Sequence, residues 1–189
     1  MKKFETRQEL YSWLPRGGVV AEIGVFKGDN ALDIWNINQP SKLHLIDAWR
    51  KMPNPDFPVS TTDMYFDYMR QTQNKLMDGI DEGRVLLYQG DSKDIVPFMN
   101  IQFDWVYIDS NHLYESVMAD LEMVEDKIKS GGFICGHDYT EETELAVKKN
   151  YGVVEAVRDF CDVYKWEMVA LALDSLPIHP SFCLARRER

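Results

Sequence analysis

The stretch Val19–Trp35, VVAEIGVFKGDNALDIW, decides how the rest of the chain is read. It opens as a short apolar run suited to a buried strand and closes as an amphipathic helix, with Gly24 and Gly28 in the turn between. A strand-turn-helix with paired glycines lets backbone N–H groups approach a small molecule closely, so a nucleotide-like ligand is the first to test. A dinucleotide fingerprint beginning at Gly24 needs glycine again at positions 26 and 29, where Phe26 and Asp29 stand. Charge speaks against a pyrophosphate too, because Glu22 at the strand end would repel it in a partly desolvated site. A cationic ligand gains there instead. S-adenosylmethionine carries an ammonium and a sulfonium beside an adenosine and has no phosphate, which suits Glu22 with the two glycines keeping the turn open.

Working outward, strand and helix patterns alternate. A helix over Asn30–Trp35 is followed by strand KLHLID ending at Asp47, a helix near Tyr65 to Asp81 and strand RVLLYQ. A second round gives strand FDWVYID ending at Asp109, helix Leu113–Lys129, and strand GFICGH after the Gly131-Gly132 break. Along that helix Leu113, Val117, Leu121 and Val124 share one face, with the acids expected on the other. A helix near Val153 to Val163 precedes two strand-like runs, KWEMVALAL and SFCLARR, joined by DSLPIHP; they read as an antiparallel hairpin at one sheet edge. The fold class is therefore α/β: a Rossmann-like, doubly wound, mostly parallel sheet of seven strands with an antiparallel C-terminal hairpin strand. Residues 1–189 are expected to form a single domain. Residues 1–17 supply an N-terminal helix, signalled by Thr6 and Glu9 at capping-box spacing and stopped by PRGG. The segment 49–63, with Pro53, Pro55 and Pro58, leaves the end of the second strand and reads as part of a lid, or else as a mere surface insertion.

Composition narrows the partners. With 21 Lys+Arg against 31 Asp+Glu the formal net charge is −10, which disfavours nucleic acid and anionic membrane surfaces. Cys135, Cys161 and Cys183 have no metal-ligand spacing and cannot all pair internally, as expected of a reducing compartment. No stretch approaches the roughly 20 apolar residues of a membrane span, and no signal peptide follows the N-terminal lysines, so a cytoplasmic location is expected. A homodimer, through the Met64, Tyr65, Tyr68 and Met69 helix, competes with core packing for that surface.

Three successive strands end in EIG, LID and QGD. Asp47 can accept hydrogen bonds from ribose hydroxyls, Gly90 permits close approach, and Asp91 and Ser92 can meet an adenine edge. The chemistry is expected where the fourth and fifth of these strands end, across the crevice from the cofactor. Asp109, Asn111, His112, His137 and Asp138 converge there in sequence. His112 is the natural general base, or else it caps the helix beginning at Leu113. Asp109, His137 and Asp138 offer a divalent metal site, or else His137 and Asp138 hydrogen-bond each other and cap the turn at Tyr139. Tyr114 and Tyr139 line the pocket or pack at its rim.

These motifs resemble those of class I S-adenosylmethionine-dependent methyltransferases: AEIGVFKGDNA the first, LHLIDAW the second, LLYQGDS the third, and FDWVYIDSNHLYESVMADL with KSGGFICGHDY the fourth and fifth. The form YIDSNHLYE…GGFICGHDY is similar to that of small bacterial sugar and macrolide O-methyltransferases, with Phe26 replacing the usual second glycine of the first motif. The resemblance implies methyl transfer to a small-molecule hydroxyl, assisted by magnesium or manganese. It implies cofactor contacts from Glu22, Gly24, Val25, Phe26, Gly28, Asp47, Ala48, Gly90, Asp91, Ser92 and Asp109, catalysis by Asp109 and His112, and metal ligation by Asp109, His137 and Asp138. Two readings compete with it: a non-catalytic adenosine-binding scaffold, and another Rossmann-like nucleotide-dependent enzyme.

Overall fold

The computed structural model describes residues 1–50, 62–140, 151–174 and 179–187. The expected lid, 49–63, lies largely outside them. In chain order the elements are β1 (Lys2–Phe4), α1 (Arg7–Trp13), β2 (Val19–Ile23), α2 (Asp29–Asn38), β3 (Lys42–Asp47), α3 (Thr62–Lys75), α4 (Met77–Asp81) and β4 (Val85–Gln89). There follow α5 (Ser92–Ile95), a 3-10 turn (Val96–Phe98), β5 (Phe103–Ile108), α6 (Tyr114–Glu125), β6 (Ile128–Gly136), α7 (Val153–Tyr164), β7 (Trp166–Ala172) and β8 (Ser181–Arg186).

One sheet runs in the order β1-β7-β8-β6-β5-β2-β3-β4. Only β8 runs against its neighbours, pairing antiparallel with both β6 and β7. The expected Rossmann-like sheet is thus present, with an eighth strand added. β1 pairs in parallel with β7 from Lys2 opposite Ala170 to Phe4 opposite Ala172, so it, and not the hairpin, forms that edge. This pairing spans almost the whole sequence, and no local pattern could announce it. Three boundaries also move. The helix expected over Tyr65–Asp81 breaks at Leu76 into α3 and α4, α2 runs on to Asn38, and the helix expected to reach Lys129 ends at Glu125. Ile128 already pairs with Phe103, so sheet pairing takes over residues that carry a helical pattern.

The sheet buries apolar side chains on both faces. Val117, Leu121 and Val124 of α6 join Val157 and Phe160 of α7 on one face. Leu10 and Leu14 cover the other with Ala31 and Ile34 of α2. Full burial of a side chain of this size contributes about 1.5–3 kcal/mol. The chain leaves β2 outward through β3 and β4, then returns to β5 on β2's opposite side. That reversal opens a crevice at the C-terminal strand ends, where ligands of such sheets bind. No helix among the described residues is long and apolar enough to cross a membrane.

Candidate active site

The turn after β2 is closed by packing and by one carboxylate. Gly24 has φ +85°, and a Cβ there would lie 2.1 Å from the Asp109 carbonyl oxygen. The glycine therefore lets the turns after β2 and β5 touch. Gly28, at φ +76°, faces Thr72 of α3 at 2.9 Å in the same sense, so helix packing fills the space beside it. Asp47 Oδ2 accepts from the backbone N–H groups of Val25 at 2.8 Å and Phe26 at 2.9 Å, while its Oδ1 accepts from Trp49 N–H at 2.7 Å. Phe26, in the place of the second glycine of the motif that the stretch resembles, keeps the glycine-like conformation at φ +54°. Its carbonyl accepts from Trp49 Nε1, its ring packs 4.5 Å from that of Tyr68, and these contacts hold the unfavourable backbone in place.

Glu22 is buried at 1 % exposure. Strand alternation turns it toward α1 and α2, where Oε1 accepts from Asn30 Nδ2 at 2.8 Å. Asn30 in turn accepts from the Tyr11 hydroxyl at 2.6 Å and from Arg7 at 3.3 Å. Glu22 Oε2 has no partner among the described residues. Burial pushes this carboxyl well above the usual range, with Asn30 working against it. A buried, half-satisfied carboxylate is costly unless a donor completes it.

Further along the edge, Ala48, Gly90 and Asp91 line an open cleft with Arg50, Gln89 and Ile95. Arg50 and Asp91 pair across it at 2.6 Å. The Ser92 hydroxyl points elsewhere: it donates to Asp120 Oδ1 at 2.8 Å.

On the other side of the crevice five side chains converge. Asp138, only 4 % exposed and in the left-handed region at φ +57°, is the hub. Its Oδ2 lies 2.6 Å from His112 Nε2 and 3.4 Å from His137 Nδ1. Its other oxygen contacts His179 Nδ1, and the rings of His137 and His179 stack. Asp109 stands 3.7 Å from His112 and 3.8 Å from His137. Tyr151 stacks on His112 with centroids 4.5 Å apart. Burial lowers the His112 pKa, but the Asp109 and Asp138 carboxylates beside it outweigh burial, leaving the ring pushed up to about 9. His137 is raised by the same contest, burial against the two carboxylates. Burial raises the Asp138 carboxyl, yet His112 and His137 hold it far below the usual range.

His112 does not cap the helix: α6 begins at Tyr114 with Leu113 at its N-cap and no side-chain cap, and Asn111 Oδ1 accepts from Leu113 N–H at 3.0 Å in the turn before it. His137 and Asp138 do approach each other, and Asp109 joins them: the three offer ligand atoms within 4.8 Å of one another. Two carboxylate oxygens and an imidazole fit manganese, iron or zinc more readily than magnesium. Tyr114 donates to Asp159 of α7 at 2.9 Å, and Tyr139 packs against Phe182. Sequence reasoning missed Arg7, Asn30, Arg50, Asp120, Tyr151 and His179 here. Asp120 follows Val117 by three positions, the spacing of the inner helix face, and it is buried where an outward acid was expected. Leu113, expected on that inner face, is 42 % exposed. The signal for His179 was a histidine between apolar and proline residues in DSLPIHP.

Comparisons with known proteins bear on the fold and the family. Among curated proteins no sequence matches the chain. Among solved structures, cofactor-bound Rv0187 from MTB superposes with a TM-score of 0.70 at 14% identity, covering 97% of this chain and 80% of that one. The O-methyltransferase TomG from Streptomyces achromogenes, involved in tomaymycin synthesis and solved with SAM, gives 0.67 at 14%, covering 96% and 80%. A putative rRNA methylase from Clostridium thermocellum gives 0.66 at 12%, covering 96% and 95%. A family model described as a methyltransferase domain matches residues 21–139, from the residue before Glu22 to the residue after Asp138. The chain belongs to that methyltransferase-domain family, within the class I S-adenosylmethionine-dependent methyltransferases.

Proposed function

We propose that this methyltransferase acts on a hydroxyl oxygen of a small-molecule acceptor, with a divalent cation held by Asp109, His137 and Asp138. The observation that carries the reading is the convergence of two carboxylates and three imidazoles from the ends of β5 and β6 and the segment before β8, across from the turn built by Glu22, Gly24 and Asp47. The formal charge of −10 supports a small acceptor over a nucleic acid.

Glu22 Oε2, buried and unpartnered, fits the ammonium of the methyl donor, and that ion pair would draw the carboxyl back toward its ionised form. Asp47 already accepts three backbone N–H groups, so its remaining lone pair serves one ribose hydroxyl while the carboxylate fixes the turn. Ala48, Gly90 and Asp91 frame the adenosine. Methyl transfer is an in-line displacement: the acceptor oxygen forms a bond to the methyl carbon, the carbon–sulfur bond breaks with its electron pair on sulfur, and the hydroxyl proton leaves to a base. His112, with Nε2 facing Asp138 and its ring packed by Tyr151, takes that proton on its other nitrogen once the ring is neutral, so in metal-free protein this step gains as pH approaches about 9. Asp109 lies next to both rings and holds the acceptor oxygen in line. A bound cation would supply Lewis acidity that favours the acceptor alkoxide.

Calorimetry with S-adenosylmethionine, S-adenosylhomocysteine and NADH comes first, followed by transfer of labelled methyl across a panel of hydroxylated metabolites with EDTA, manganese or magnesium. The expected result is binding of the two sulfur ligands but not NADH, an O-methylated product, and activity lost to EDTA and restored by metal. NADH binding alone would return the chain to another nucleotide-dependent class. Activity surviving EDTA, with no metal found by elemental analysis, would remove the cation from the reading.

A further inference from the structure

Asp120 belongs neither to the donor-binding turn nor to the Asp/His cluster. It sits in α6, 7 % exposed, among Val117, Leu121 and Val124, where an ionisable side chain needs a reason. Its partners are not on its own helix. Oδ1 accepts from the Ser92 hydroxyl at 2.8 Å and Oδ2 from the Ser110 hydroxyl at 2.5 Å. Ser92 opens α5 directly after Gly90 and Asp91, at the adenosine cleft, and Ser110 directly follows Asp109. One buried carboxylate therefore ties the turn after β4 to the turn after β5.

We propose that Asp120 is a positioning residue that couples the two sides of the site, holding the adenosine-binding turn through Ser92 and the acceptor-binding turn through Ser110. The inference rests on the methyl-transfer reading of the same crevice. Hydroxyl-to-carboxylate hydrogen bonds at these distances belong to the strong, charge-assisted kind, and burial shields them from water. The seam extends further, because a Gly24 Cβ would lie 2.1 Å from the Asp109 carbonyl oxygen and 2.8 Å from Ser110 Cα. A shift of the Ser110 turn thus presses on the turn below the cofactor. With its hydroxyl committed to Asp120, Ser92 has its backbone N–H left to offer adenine. Asp120 touches neither ligand, so its effect must be transmitted, and the two serines say where.

The test separates affinity from turnover. Ser92→Ala should weaken S-adenosylmethionine binding about three- to tenfold with kcat at saturating donor retained. Ser110→Ala should lower kcat by a similar factor with donor Kd retained, and Asp120→Ala should do both. Asp120→Asn keeps one acceptor and should fall between. In the Asp120→Ala background, adding either serine substitution should have no further effect, since the shared partner is already gone. Far-UV circular dichroism and Tm accompany each variant; if Asp120→Ala does not fold, the opposite split between the two serine variants and the Asp120→Asn value carry the test. Additive effects in the double variants, or both serines acting on the same parameter, would overturn the coupling. If wild-type protein and Glu22→Ala alike bind no S-adenosylmethionine, the underlying reading fails and the coupling falls with it; if only Glu22→Ala loses binding while Asp120→Ala matches wild type in Kd and kcat, the coupling alone is wrong.

Discussion

The two walls of the crevice are built by different physics. On the wall formed by the ends of β2, β3 and β4, backbone groups carry the structure: Asp47 gathers three N–H groups, and Gly24 and Gly28 are closed upon by other parts of the chain. On the wall formed by the ends of β5 and β6 and the segment before β8, side-chain charge carries it: Asp109 and Asp138 stand among His112, His137 and His179. A wall of backbone groups gathered on one carboxylate is broken by altering covalent geometry. A charge-built wall responds to protons and cations and is broken by titration. Such a division suits a methyltransferase, which binds a donor of constant structure on one side and manages an acceptor proton on the other.

The sharpest way to break the first wall is to add one methyl group. Gly24→Ala forces a Cβ to within 2.1 Å of the Asp109 carbonyl oxygen at φ +85°, and should cost at least about 3 kcal/mol of stability. Gly17 is the control. It has a similar φ of +72° with nothing within 4 Å, so Gly17→Ala should cost about 1 kcal/mol, the conformational penalty alone. Chemical denaturation of the two variants beside wild type measures both. Equal costs would mean that the contact between the walls contributes nothing.

The second wall is sharpened by pH. In metal-free protein the His112 pKa, raised from 6.5 to about 9, adds stability that is fully present below pH 6.5 and is lost as pH rises through about 9. Asp138, held below its ordinary value of 3.8, adds stability that is present above that pH and lost on acidification. Stability should therefore be highest between the two and decline from pH 6.5 to 9, by no more than about 3 kcal/mol from His112. At roughly 2–4 °C per kcal/mol, thermal melts resolve such a decline. His112→Ala should reduce it, leaving the share that His137 contributes. A wild-type Tm that stays level or rises over that range would contradict the ion-pair account of the cluster.

The sequence revealed these walls unequally, for reasons visible in particular residues. The β2 turn was legible because its requirements are local: an apolar strand, Gly24, Gly28 and an amphipathic helix lie within one short stretch. Asp47, Asp109 and Asp138 were legible because each stands at a strand end, where the topology aligns them. What the residues beside the glycines would touch was not legible, since Thr72 and the Asp109–Ser110 backbone come from distant segments. Nor was β1, which pairs with β7 at the far end of the sequence. Asp120 was misjudged because an acid in an amphipathic helix is usually solvated, and only the two serines brought in by other strands make its burial tolerable. His179 sits in a linker whose return to Asp138 depends on β8 slotting between β6 and β7.

The central claim, that one wall binds the donor and the other acts on the acceptor, is tested most directly by measuring S-adenosylmethionine Kd and kcat side by side in Asp47→Ala and His112→Ala. The account predicts opposite outcomes. Asp47→Ala should lose donor affinity about tenfold to a hundredfold, since a charged hydrogen-bonding group is worth about 1.5–3 kcal/mol. His112→Ala should keep wild-type Kd and lose about a hundredfold in kcat or more, as expected of a positioned base. Wild-type turnover in His112→Ala, or unchanged donor affinity in Asp47→Ala, would contradict it.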